Sequence, residues 1–129
     1  MDTMSVTVTP ARSSTSIADA RESARHFLED LPRVITAEVA ETVIMVVSEL
    51  VTNALRHGGG IAIMEVSAHP DAIEVAVRDD SPRAPRMRTP DLNRGTGGFG
   101  WLMVNRLAHT TAVTPRPTGG KTVKALIAR

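Results

Sequence analysis

Glu49, Asn53, Arg56 and His57 fall within one stretch, SELVTNALRH. At about 100° per residue on a helix, with Glu49 at zero, Asn53 lies near 40°, Arg56 near −20° and His57 near 80°. All four share one flank. A carboxylate and a side-chain amide so placed are polar groups that a partly desolvated pocket could use. A Glu and an Asn four apart are also ordinary helix surface. The neighbours sharpen the reading. Leu50, Val43, Ala54, Val47, Ala40, Val51 and Ile44 fill roughly 100° to 220° of the same wheel, a stripe wide enough to pack on a sheet. The polar group therefore borders the core stripe instead of opposing it, which places a carboxylate and an amide at the rim of the core.

Two further features sit downstream. In AIEVAVRD, Ile73, Val75 and Val77 share one side of a strand by period two, and Asp79 continues that inward series. An inward carboxylate at a strand end needs a partner, because burying an unpaired charge is expensive; the alternative is a turn carboxylate in DDSP. GTGGFGW, residues 95 to 101, leads into a helix. Glycines there let the backbone approach a phosphate, which free amides and the helix dipole attract; a plain hinge is equally compatible with them. GGKT, residues 119 to 122, imitates the end of a P-loop but lacks the required earlier glycine, since Pro115 stands there, and a strand-like TVKALIAR follows it where a helix is required. His26, His57, His69 and His109 are scattered, and they assemble neither a Ser-His-Asp order nor an H-E-x-x-H metal motif.

The elements that must hold these groups can be read in turn. Met4, Val6 and Val8 alternate with polar residues before Pro10, which suits a strand near a sheet edge. Ser16 predicts an N-cap for a helix carrying Ile17, Ala20, Ala24, Phe27, Leu28 and Leu31 and ended by Pro32. Thr36 caps a second, longer helix to about His57, which Gly58, Gly59 and Gly60 stop. Residues 61 to 68 and 72 to 79 read as two strands joined by His69, Pro70 and Asp71. Residues 80 to 98 carry three prolines and three glycines with almost no apolar content, a loop long enough to suggest a lid or binding loop. A short helix at 99 to 109 and a closing hairpin of 111 to 115 and 121 to 128 complete the order β-α-α-β-β-loop-α-β-β. That order is not a strict βα alternation, so an α+β chain with a layer of helices on one face of a mixed sheet fits best.

Composition excludes several classes. The 129 residues suit one domain spanning 1–129, and 42% hydrophobic content with no membrane-length apolar run points to a soluble chain. A net charge of +1, 15 Lys+Arg against 14 Asp+Glu, carries no nucleic-acid footprint. The aromatic residues Phe27, Phe99 and Trp101 offer no platform for stacking bases. Without cysteine there is no disulfide, thiolate metal site or catalytic thiol, and without a signal-peptide pattern at the N-terminus the cytoplasm is the expected location.

Taken in order, Glu-x-x-x-Asn on a helix, Asp-x-Ser after a strand, Gly-Phe-Gly before a helix and GGKTV in the last strand resemble the GHKL, or histidine-kinase-like, ATPase domain. SELVTNALRHG is similar to the N-box of its short bacterial anti-sigma factor and serine-protein kinase branch. The resemblance covers nearly the whole chain and implies the Bergerat ATP-binding fold, a two-layer α/β sandwich with a mixed, mostly antiparallel sheet. It implies ATP and magnesium as cofactors, with Asn53 as the magnesium ligand and Glu49 as the group that orients or deprotonates the nucleophile. By the same resemblance Asp79 accepts a hydrogen bond from the adenine amino group and Ser81 follows it in the first glycine box. Gly98, Phe99 and Gly100 line the phosphates, and Thr122 lies near adenine. Arg56 and His57 stand beside the nucleotide.

The implied function is an ATP-binding anti-sigma-type regulator. It binds a sigma factor and acts as a serine kinase on an anti-anti-sigma (STAS-domain) partner, without contact to nucleic acid or membrane, and a homodimer is implied as well. The alternative is an ATP-binding interaction module with little or no kinase activity, in which nucleotide state controls partner binding. Retention of Glu49 favours the first. DDSPR, with Ser81 and Arg83 where the family's first glycine box has glycines, favours the second, and the proline-rich loop from Asp80 to Gly97 is short for an ATP lid. No helix carries a phosphoacceptor histidine, which argues against a two-component sensor kinase.

Overall fold

The computed structural model describes residues 2–8, 13–57, 61–81 and 100–129. Eight elements run in chain order: β1 Asp2–Val8, α1 Ser13–Glu29, α2 Ala37–His57, β2 Ala62–Ala68, β3 Ala72–Asp79, α3 Gly100–Leu107, β4 Thr110–Pro115 and β5 Lys121–Ala128. This is the order expected from the sequence. The strands form a five-stranded sheet in the order β1-β2-β3-β5-β4. All four pairings are antiparallel, in line with the mixed, mostly antiparallel sheet that was expected. Two of those pairings join strands through tight hairpins, which can only produce antiparallel neighbours.

Local chemistry explains the helix boundaries. Thr36 Oγ1 accepts a hydrogen bond from Val39 N at 3.2 Å, capping α2 as its sequence predicts. Helix α1 begins at Ser13, so Ser16 lies about one turn inside it instead of at its cap. The glycines 58–60 and most of the long loop, residues 82–99, lie outside the described residues.

The core lies between α2 and the sheet. Val43, Val46, Val47 and Val51 on α2 are fully buried, as are Met64 and Val66 on β2 and Ile73 and Val75 on β3. Each such side chain contributes roughly 1.5–3 kcal/mol of burial. Helix α1 packs on α2 and β1 with Ala20, Ala24 and Leu28 buried, the small residues allowing close approach. Helix α3 packs on α2 and on β4 and buries Val104. Aliphatic side chains thus do the work that aromatic ones do in many cores. No helix among the described residues is long and apolar enough to cross a membrane.

Candidate functional site

Helix α2 carries the first group. The core stripe Val47, Leu50, Val51 and Ala54 is buried, Glu49 and Asn53 are half-buried, and Arg56 is exposed. The polar flank therefore borders the core, as the helical spacing requires. His57 is the last residue of α2, and its side chain lies outside the described residues.

Glu49 reaches across to the start of α3. A Cβ added to Gly100 would overlap Glu49 Oε2 and lie 3.2 Å from its carboxyl carbon. Position 100 thus lets a carboxylate rest on bare backbone at the first turn of a helix, where unsatisfied N–H groups and the positive end of the dipole favour negative charge. Gly98 and Phe99, the other members of Gly-Phe-Gly, lie outside the described residues.

A second group forms at the end of β3. Asp79 follows Ile73, Val75 and Val77 into the interior and is only 3% exposed. Its partner is Lys121, itself 6% exposed, which stands opposite it in the β3–β5 register. Lys121 Nζ donates to Asp79 Oδ1 at 2.9 Å and lies 2.9 Å from Oδ2. Ser81 N donates to Asp79 Oδ1 at 2.9 Å, which closes an Asx turn, and Ser81 O accepts from Lys121 Nζ at 3.4 Å. The carboxylate is therefore inward-facing and a turn-former at once.

The register also decides which side of β5 faces this group. Residues opposite one another on antiparallel strands share a face. Lys121 is opposite Asp79 and Val123 opposite Val77, whereas Thr122 is opposite Arg78. Thr122 consequently sits on the other face of the sheet from Asp79. Lys121 is the residue that motif reading overlooked, although β5 held a signal for it. Val123, Ala125 and Ile127 alternate into the core, and extending that period backward puts Lys121 in line with them.

The turn before β5 makes the pairing close. Arg116 N donates to Gly120 O at 3.0 Å and Gly119 N to Arg116 O at 3.0 Å. Gly119 and Gly120 have φ of 99° and 79°. A Cβ on Gly120 would collide with Asp79 O and lie 2.9 Å from Asp80 Cα. GGKT is thus a tight turn that seats a lysine on a carboxylate, and it has nothing of a P-loop.

The structure brings the expected residues together as two groups, Glu49 with Gly100 and Asp79 with Ser81. They stand at opposite ends of one chain segment, because residues 82–99 leave Ser81 and arrive at Gly100. No cluster of three or more His, Cys, Asp or Glu able to hold a metal occurs among the described residues. A half-buried amide and carboxylate one helical turn apart could supply oxygen ligands to a cation that a bound molecule also holds.

A solved structure of the RsbU and RsbW domains of Rv1364c from Mycobacterium tuberculosis superposes on the whole of this chain with a TM-score of 0.70 at 16% identity. This chain spans 33% of the length of that one. The likeness extends to the fold. No curated protein matches the chain. The description "Histidine kinase-like ATPase domain" matches residues 11–126, which takes in both helices α1 and α2, the β2–β3 hairpin, α3 and almost all of β5. With nine-tenths of its length inside that match, the chain belongs to the histidine kinase-like ATPase domain family.

Proposed function

We propose that the chain is an ATP-binding regulator of the anti-sigma type, able to phosphorylate a serine of an anti-anti-sigma (STAS-domain) protein. The observation that carries this reading is the Glu49 carboxylate at the start of α3, resting on a residue that must be glycine to admit it. A base for a serine hydroxyl has to stand near the transferring phosphate, and the closeness of Glu49 to the N-terminal end of α3 supports that role. The family match and the likeness to a structure that includes an RsbW domain support the same direction.

In this reading Asn53 would hold a magnesium ion through its side-chain oxygen, and that ion would supply charge neutralisation for phosphoryl transfer. Glu49 takes the proton of the partner's serine hydroxyl as that oxygen bonds to the γ-phosphorus. The bond from that phosphorus to the β–γ bridging oxygen breaks, and ADP leaves. Gly100 keeps the backbone at the start of α3 free of a side chain.

A second reading is favoured by a specific observation. Asp79, the acceptor that the family resemblance assigns to adenine, already receives Lys121. A base-side acceptor engaged in this way suits an interaction module in which nucleotide binds weakly and sets partner choice without phosphate transfer.

Calorimetric titration with ATP, with and without magnesium, tests both. Native protein binds ATP in a magnesium-dependent manner, and Asn53→Ala loses that binding while keeping its circular dichroism spectrum. Unchanged affinity in Asn53→Ala removes the site. Transfer from labelled ATP to a serine-bearing STAS-domain protein then separates the readings, since the kinase requires transfer that Glu49→Gln lacks, and the module shows none in either protein.

A further inference from the structure

We propose that Lys121 is the residue that sets base selectivity in this chain. By holding Asp79, it makes the site nearly indifferent to whether a purine carries an amino or an oxo group at its six position. The inference rests on the ATP-binding reading above and concerns how the base end of that site works.

A lone carboxylate at the edge of a purine is a strict reader. It accepts from the amino group of adenine and repels the six-position carbonyl of hypoxanthine, because an ionised carboxylate has acceptors only. Asp79 is not in that state. Oδ1 takes hydrogen bonds from Lys121 Nζ and Ser81 N, and Oδ2 lies 2.9 Å from the same ammonium. Of the roughly four lone-pair positions on a carboxylate one is left, on Oδ2, and the ammonium beside it neutralises the charge that a base would meet there. The ammonium also places a donor beside the acceptor. Its third N–H has only the long 3.4 Å contact to Ser81 O, so a carbonyl brought to this edge meets a donor where a lone aspartate presents repulsion.

The arrangement is built in. Both partners are more than nine-tenths buried, they are cross-strand neighbours, and the left-handed Gly119–Gly120 turn brings the start of β5 against the backbone of Asp79 and Asp80. Lys121 cannot drift into solvent as a surface lysine does. Separating the pair to free Asp79 for adenine leaves two buried charges to be compensated, and the amino group of a neutral base cannot do that.

The test compares ATP with inosine triphosphate, which differs at the six-position edge, in calorimetric titrations with magnesium. The native chain binds the two within about tenfold of each other, because the Lys121 ammonium neutralises the charge with which Asp79 would favour the amino group and itself offers a donor to the carbonyl. In Lys121→Met the carboxylate is released and the preference for ATP rises by about tenfold or more. Asp79→Asn/Lys121→Met, which removes both charges and protects the fold, loses that added preference.

The native chain alone can overturn the proposal, without any variant having to fold: a preference for ATP beyond tenfold does so. An unchanged ratio in Lys121→Met also does so, as does a raised preference that persists in the double variant. Failure of the native chain to bind either triphosphate has a different meaning. It overturns the ATP-binding reading itself, and this inference with it, and so is distinguishable from a native chain that binds both but selects between them.

Discussion

At the Asp79 end of the site two opposite charges lie buried, 2.9 Å apart, on neighbouring strands clamped by a glycine turn. At the Glu49 end a half-buried carboxylate on a helix rests on the backbone of Gly100. The first arrangement is over-determined, because register, burial and turn all impose it. Among the described residues the second is held by helix packing, and the carboxylate sits at the tip of a side chain with three rotatable bonds. In the proposed kinase reading the difference suits two kinds of task. A group that takes a proton from an incoming molecule must be free to re-aim, whereas a charge at the end of a central strand must be paired or neutralised for the sheet to close.

Breaking the pair has the largest expected effect on stability. Lys121→Met leaves a buried carboxylate without its counter-charge and destabilises the chain by about 3–5 kcal/mol. The double variant Asp79→Asn/Lys121→Met recovers most of that loss, since replacing both partners of a buried pair is often close to neutral. Urea denaturation of the three proteins checks it, and a single variant as stable as the native chain shows that the sheet end does not depend on the pair.

The turn ranks next. Gly119 and Gly120 both have positive φ, which costs a non-glycine residue about 1–3 kcal/mol. Only Gly120 also has neighbours in the way: a Cβ there meets the backbone of Asp79 and Asp80, while one on Gly119 finds nothing within 4 Å. Gly120→Ala is therefore the more destabilising by about 1 kcal/mol or more, the excess being the overlap that pushes β5 off β3. Equal midpoints for the two alanine variants in denaturant show that strand approach contributes nothing.

These two regions also differed in how far the sequence revealed them. The Glu49 flank was legible because helical periodicity is local: seven apolar residues define the stripe, and Glu49 and Asn53 fall beside it by arithmetic. Asp79 was legible for the same reason on a strand, with Ile73, Val75 and Val77 setting the face. Lys121 was hidden because its role depends on which strand lies beside β3. That neighbour is β5 and not β4, a fact of topology that no local period contains. The motif GGKTV drew attention to Thr122, one residue along, and a one-residue shift on a strand moves a side chain to the opposite face. The contact of Glu49 with Gly100 is likewise a tertiary one, since β2 and β3 lie between α2 and α3 in sequence.

The smallest expected change in stability comes at the Glu49 end, and there function and stability part company. A Cβ at position 100 causes crowding at the first residue of α3, where exchanging glycine for alanine changes helix propensity less than it does in a helix interior. That crowding falls on the end of a flexible side chain, so Glu49 can swing away at the cost of one rotamer, and Gly100→Ala shifts the unfolding free energy by less than about 1 kcal/mol. The swing nevertheless removes the carboxylate from the start of α3. At saturating ATP, transfer to a serine-bearing STAS-domain protein should fall in Gly100→Ala by a factor of about 10²–10⁴, the usual worth of a positioned base. It should fall no further in Gly100→Ala/Glu49→Gln, because both changes act on one group. Full transfer by Gly100→Ala shows that the carboxylate works from elsewhere, and a further drop in the double variant shows that Gly100 acts on the phosphates directly. A loss of activity without a loss of stability, set against the reverse pattern at Gly120, separates a residue kept for its chemistry from one kept for the fold.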